Sequence, residues 1–303
     1  MVKKVIAGCE LFIVDGPGSA VRNSHSITRD FYAPFPKKTK IYNYINIHAR
    51  IEPLQVKFDK LLFRANEAWS FYQDHFFKWM VLSLPNIDQP LWTARFNHDF
   101  TEVTLYCGPH MIIRIDNQTV IKNPLTYPLD QVLMMHFLAL NAGMLVHAAG
   151  WRVNGAGWMF AGISGAGKST ISNLIVEHTG ADFLSDDRII VRKIKDEFFV
   201  YGTPWPGDAG YAVNASVPLK GIFFLSKGQR NSIRKMASAE AFFRLAPVSS
   251  IPWYDREKVV LMLDFCNDLI ESIPMYELTF VPGQAIVSYL EEFISDMDLA
   301  END

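Results

Sequence analysis

The chain has 303 residues, 49% of them hydrophobic, with 29 basic against 32 acidic side chains and a formal charge of -3. Such a composition excludes a disordered chain and leaves room for one large domain or two ordinary ones. The near-even charge excludes a whole-molecule pull toward nucleic acid or anionic lipid, so neither nucleic acid nor membrane is expected as a partner. Cys9, Cys107 and Cys266 fall at no metal or redox spacing and read as buried apolar fillers in a reducing cytoplasm. The start, MVKKVIAGC, has an apolar run of about four residues and then Glu10, where a secretion signal needs at least about seven.

Up to residue 123 the chain is made of short aromatic and apolar runs with partial alternation: KIYNYINIHARI, LQVKFDKLLFRA, EVTLYCG and MIIRIDNQ. Alternation at a period of two predicts strands, and this half reads as a β-rich domain with a mostly antiparallel sheet. KNPLTYPLD then forms a linker, with Asp130 in the N-cap region of a helix QVLMMHFLALNAG that stops at Gly143. The boundary is placed here, giving domains 1–123 and 124–303. The apolar run 132–150 has the length of a membrane span. His136, Asn141 and His147 argue against one, and the Asn141-Ala142-Gly143 break predicts a buried helix followed by a buried strand.

From Met144 the pattern becomes α/β. MLVHAAGWRV and GWMFAG flank an NGAG turn as a hairpin, and a helix begins near Lys168 with Ile171, Leu174 and Ile175 on one face. ADFLSDD holds the next strand, RIIVRKI and EFFVYGT form another hairpin, and the loop GTPWPGDAGY follows. LKGIFFLSKG and MYELTFVP read as buried strands. SAEAFFRLA, DREKVVLMLDFCNDLIE and GQAIVSYLEEFISDM read as helices.

The segment GISGAGKST, Gly162 to Thr170, fits the phosphate-loop pattern between an apolar strand and an amphipathic helix. Glycines let the backbone close into a cup of N–H donors, Lys168 reaches the outer phosphates, and the Ser169 hydroxyl binds Mg²⁺. The residues expected to hold ATP are therefore Gly162, Ser164, Gly165, Ala166, Gly167, Lys168, Ser169 and Thr170. Asp186 and Asp187 close a strand shortly downstream, and adjacent carboxylates there offer two roles: a metal contact and a proton acceptor for an incoming hydroxyl. His147 lies in the strand before the hairpin, where a lone histidine is more often a hydrogen-bonded core residue than a catalytic one. Gly202, Trp205, Gly207 and Asp208 belong to a loop that serves equally as a turn or as a wall of the acceptor site. Lys227, Arg230 and Arg234 form a short basic cluster that suits either phosphate neutralisation or a solvated surface. His25, His48, His75, His98, His110, His136 and His178 show no paired spacing and read as structural.

The order HAAG, hairpin, GISGAGKST, helix, FLSDD, hairpin, GTPW and IFFLSKG resembles the catalytic domain of the HPr kinase/phosphorylase family over residues 144–228. The resemblance implies a P-loop kinase domain of the HPr kinase/PEP carboxykinase type, preceded here by the β-rich domain. It implies ATP- and Mg²⁺-dependent phosphoryl transfer to a hydroxyl, usually a serine. By the same resemblance Asp186 is the general base, Asp187 and Ser169 are metal contacts, Lys168 is the phosphate clamp, and His147 is a polar neighbour of the metal. GTPWPGDAGY stands where that family carries the signature for its protein substrate, so neither the HPr protein as acceptor nor the reverse phosphorolysis is carried over.

The leading expectation is a kinase for a serine of a peptide or protein. The alternatives are a small-molecule kinase acting on an amino acid or sugar, and a nucleotide-binding regulatory module without turnover. For the β-rich half three roles stay open: presenting the acceptor, self-association into a homo-oligomer, or capping the catalytic sheet.

Overall fold

The computed structural model describes residues 2–14, 20–22, 28–32, 41–52, 54, 56–65, 68–115 and 117–300. His25, read above as structural, lies outside them. By contact the chain divides into two units, Met1–Leu140 with Pro252–Lys258, and Asn141–Ile251 with Val259–Asp303. This division and the sequence boundary at 123/124 differ by residues 124–140 and by Pro252–Lys258, both of which here lie with the first unit. The architecture is mixed α/β, and among the described residues no helix is long and apolar enough to cross a membrane.

The first unit contains β1 (Val2–Ile6), β2 (Cys9–Val14), β3 (Ala20–Arg22), β4 (Asn43–Arg50), β5 (Lys60–Ala65), β6 (Trp69–Gln73), β7 (Lys78–Leu82), β8 (Trp92–Phe96), β9 (Glu102–Cys107), β10 (Ile112–Ile115), β11 (Gln118–Lys122) and the helix α1 (Leu129–Leu140). One sheet runs β1-β2-β4-β9-β8-β7-β6-β5, and a second runs β10-β11-β3. Only the β2–β4 and β4–β9 pairs of the large sheet are parallel, so the sheet is mostly antiparallel as expected. Its strands show why alternation mattered: in β4 Ile45, Ile47 and Ala49 are buried while the residues between them face outward.

Asp130 lies in the first turn of α1 rather than ahead of it. It sits inside α1, fully buried, and its carboxylate takes the ammonium of Lys4, which also donates to Leu125 O at 2.9 Å. A buried carboxylate needs buried partners, and Lys4 of the distant N-terminal strand supplies the charged one, beside the Gln131 N–H, which donates to Asp130 Oδ1 at 2.8 Å.

The returning segment Pro252–Lys258 is tied into this unit by charge. Asp255 accepts from Lys78 and from the buried Lys258, the latter at 3.0 Å. Burial alone would raise the Asp255 carboxyl, but the hydrogen bonds from Lys78 and Lys258 outweigh it and hold the group at about 2. His136, fully buried, stacks on Phe100 with ring centroids 4.0 Å apart and places Nε2 2.9 Å from Tyr254 Oη.

In the second unit the chain continues with β12 (Gly143–Val153), β13 (Ala156–Ala161), α2 (Lys168–Thr179), β14 (Asp182–Ser185), β15 (Arg188–Ile194), β16 (Glu197–Tyr201), β17 (Ser216–Lys227), β18 (Ser232–Lys235), α3 (Ser238–Leu245), α4 (Arg256–Ser272), β19 (Met275–Phe280) and α5 (Gln284–Ala300). By contact, the first turn of α4 falls within the first unit. The membrane-length run thus divides into α1 and β12, as its Asn-Ala-Gly break predicts.

The two long strands each serve two partners. The first half of β12 pairs with β15 and its second half with β13 and β14; β17 pairs with β16 at its start and with β13 and β19 beyond. Parallel β13, β17 and β19 therefore lie side by side, with β18 added antiparallel to β19.

Trp158 and Phe160 each stack on Phe223 on this sheet, with ring centroids 5.3 and 5.6 Å away. Ile171 and Ile175 of α2 join them, as do Ile286, Leu290 and Ile294 of α5. Each such side chain contributes about 1.5–3 kcal/mol on burial. Their packing fixes the end of β13 and the start of α2, and hence both ends of the loop between them.

Candidate functional site

The loop from Gly162 to Gly167 depends on its glycines. Gly165 has φ +77° and Gly167, just ahead of α2, has φ +106°, both left-handed. A Cβ on Gly167 would also lie 2.9 Å from the Phe280 ring. The two left-handed glycines carry the loop into the N-terminus of α2, and the positive end of a helix is suited to anions.

Lys168 is buried, and its Nζ donates to Gly162 O at 2.9 Å and Ile163 O at 3.2 Å. Two of its three N–H groups hold the loop, and the third remains for a ligand. Burial lowers the Lys168 amine below its usual value, with Arg188 adding to the effect and Asp187 opposing it.

Backbone pairing brings the other predicted residues to the same place. Gly162 N approaches His147 O at 3.5 Å, and Ala148 N donates to Asp187 O at 3.1 Å. The sheet thereby sets β12, the loop and the end of β14 next to one another. His147 Nε2 lies 2.8 Å from Asp187 Oδ1, and Arg188 Nε lies 3.4 Å from Asp187 Oδ2. Burial would raise the Asp187 carboxyl, but the His147 hydrogen bond and the charges of Arg188, His147 and Lys168 hold it below its usual value. Arg188 was not singled out in the sequence, although its place directly after the two aspartates is the signal that would have found it.

Asp186 is in a different environment. It is 1% exposed and accepts three backbone N–H bonds: Oδ1 from Gly207 at 2.9 Å and Tyr211 at 3.2 Å, and Oδ2 from Ala209 at 2.8 Å. One carboxylate therefore folds the loop 207–211 around itself. Thr203 Oγ1 ties the start of the same loop to Arg188 O at 2.6 Å.

A cavity of about 500 Å³ collects these groups, lined among others by His147, Lys168, Ser169, Asp186, Asp187 and Asp208. Ser164, Gly165, Gly167 and Thr170 line it as well, whereas Gly162 and Ala166 line a neighbouring cavity instead. Among the described residues no three His, Cys, Asp or Glu side chains converge as a metal cage. Mg²⁺ does not require one: it is commonly held by one or two protein oxygens together with substrate phosphates and water. The donor set of Ser169 and Asp187 beside a phosphate cup fits that chemistry.

The basic cluster separates. Arg234 is held by Glu240 and Glu277, at 2.6 and 2.8 Å, and Lys227 lines a second cavity next to the loop. Cys9, Cys107 and Cys266 are buried and in no disulfide, as expected of fillers.

A protein-family model described as SynChlorMet cassette protein ScmC matches residues 117–284, a span that contains every residue of the first cavity. Among solved structures the chain is similar to the Hpr(Ser) kinase/phosphatase from Coxiella burnetii, at 14% identity and a TM-score of 0.32, over 52% of this chain and 99% of that one. No curated protein matches the chain.

Proposed function

The chain belongs to the SynChlorMet cassette protein ScmC family, and we propose that it is an ATP- and Mg²⁺-dependent kinase of the cytoplasm. Its second unit would be a P-loop kinase domain of the HPr kinase/PEP carboxykinase type, transferring the γ-phosphate to a hydroxyl, first of all a serine of a peptide or protein. The observation that carries the reading is the single cavity in which an N–H cup, one buried lysine and two carboxylates of unlike environment meet.

Phosphoryl transfer needs positioning and charge neutralisation more than covalent chemistry, and these residues divide that work. The N–H groups of the loop and the free N–H of Lys168 hold the phosphates. Ser169 and Asp187 would hold Mg²⁺, which when bound neutralises charge on the phosphate oxygens. His147 orients Asp187 by its 2.8 Å contact. Asp186 accepts the proton of the incoming hydroxyl on Oδ2, which takes one N–H bond and keeps a lone pair. Its other bonds keep Gly207 and Asp208 at the cavity edge, where an acceptor would lie.

The test is transfer of label from γ-labelled ATP to a desalted, size-fractionated cell extract, beside Lys168→Ala and Asp186→Asn. Label in a protein or peptide that requires both residues is the expected result. Label confined to small molecules would replace the acceptor class with an amino acid or sugar. ATP binding with no transfer to any fraction would refute the kinase reading in favour of a regulatory module.

A further inference from the structure

A second cavity, of about 470 Å³, adjoins the first and shares Ser164 and Gly165 with it. Its chemistry is unlike that of its neighbour. The walls are apolar, from Phe224, Leu225, Pro247 and Val248, and its mouth carries two side chains that water should not favour: Ile163 is 66% exposed and Phe243 77%. Exposed apolar groups gathered around one concavity mark a ligand site more than a lone exposed side chain does.

Its one fixed cation is Arg244. One of its NH₂ groups donates to Leu225 O at 3.0 Å and Ser226 Oγ at 3.3 Å, the other lies 3.6 Å from Glu277 Oε1, and the guanidinium lies over the Phe224 ring, 5.7 Å from its centroid. A five-donor fork held this way keeps donors for further oxygens or ring nitrogens.

We propose that this second cavity is the nucleoside site, taking the ribose and base of a nucleoside triphosphate with the base laid against Phe243. The inference rests on the reading of the first cavity as the phosphate site. Lys168, Ser169 and Asp187 fix the β,γ end of a triphosphate in the first cavity. The nucleoside must then leave it, and the apolar cavity reached across Ser164 and Gly165 is of the right size and character. An acceptor is the weaker occupant. Its hydroxyl must reach Asp186, and Asp186, Asp187 and the 207–211 loop line the first cavity and not the second.

Binding of two probes separates the sites: ATP and inorganic tripolyphosphate, each titrated calorimetrically with Mg²⁺ into the full chain. Phe243→Ala should weaken ATP about tenfold, the usual scale for loss of one base–aromatic stack, and leave tripolyphosphate unchanged. Lys168→Ala should weaken both probes. Phe243→Ala with unchanged ATP affinity, or with equal loss for both probes, overturns the nucleoside site. Unchanged ATP affinity with lost transfer assigns the cavity to the acceptor and overturns it too. Should Lys168→Ala bind both probes as the unaltered chain does, the phosphate reading fails, and the nucleoside site falls with it.

Discussion

Replacing Asp186 by Asn tests the most specific claim made for this site, that one carboxylate both accepts a proton and folds a loop. An amide has one accepting oxygen where the carboxylate has two. In its better orientation it keeps the Gly207 and Tyr211 bonds on that oxygen and turns its NH₂ toward the Ala209 N–H. One hydrogen bond to a charged group is lost, about 1.5–3 kcal/mol, and a buried N–H is left facing another donor, about 1–3 kcal/mol. Relief of the buried charge offsets part of this, so the expected loss is about 2–4 kcal/mol. Asp187→Asn is the control: its carboxylate is half-buried and pairs with His147 and Arg188 at the surface, so about 1 kcal/mol or less is expected. Urea unfolding of the two variants without nucleotide reads the difference, and amide exchange should show Ala209 losing most protection, and Gly207 and Tyr211 less, in Asp186→Asn alone. Equal stability of the two variants would refute the loop-holding role and leave Asp186 as a base only.

Three further outcomes follow from the same geometry. Asp187→Asn should weaken ATP binding about tenfold with Mg²⁺ present and little without it, read by calorimetry at both conditions; equal effects would remove Asp187 from the metal. Gly167→Ala, at φ +106° and 2.9 Å from the Phe280 ring, should cost about 1–3 kcal/mol in strain and lower ATP affinity. Gly165→Ala, with open space around its Cβ, should cost less in a thermal melt. In the first unit, burial and then the charges of Lys258 and Lys78 push the His136 imidazole well below 6.5, against the pull of Asp255. The folded chain then refuses a proton that the unfolded chain takes up, so stability is full above about pH 6.5 and falls as pH drops, by up to about 1.4 kcal/mol per unit. His136→Phe should flatten that slope in urea titrations between about pH 6.5 and 5.

Local signals carried far in this chain. The Asn154-Gly155 turn has φ 51° and 76°, the paired left-handed values that an Asn-Gly hairpin demands, and β12 and β13 pair on either side of it. Helix α2 begins at Lys168, where a phosphate loop must release into a helix. What stayed hidden required partners distant in sequence. The turn residues around Asp130 point to an N-cap region, whereas its buried charge partner, Lys4, lies 126 residues away. Arg234 read as part of a basic cluster, yet Glu277 from β19 neutralises it once β18 pairs there. The Pro252–Lys258 segment carries no composition shift, and it is contacts with distant first-unit residues, among them Lys78, His136, Phe71 and Phe100, that explain why it lies with the first unit.

The two aspartates make the same point at the site itself. Side by side in sequence they offer the same functional group, and nothing in the dipeptide assigns one to the metal and the other to the proton. The bend after β14 separates them: Asp186 turns in under a loop of small residues, Gly207, Ala209 and Gly210, while Asp187 stays half-buried between His147 and Arg188. The small residues are the readable part, since a loop can wrap three N–H groups around one carboxylate only where side chains do not intervene. A Cβ on Gly207 would lie 2.9 Å from Asp186 Oδ2. Gly207→Ala should therefore reproduce part of the Asp186→Asn loss of loop protection while leaving the carboxylate in place. If it left amide exchange at Ala209 and Tyr211 unchanged, the loop would owe its shape to something other than this close approach.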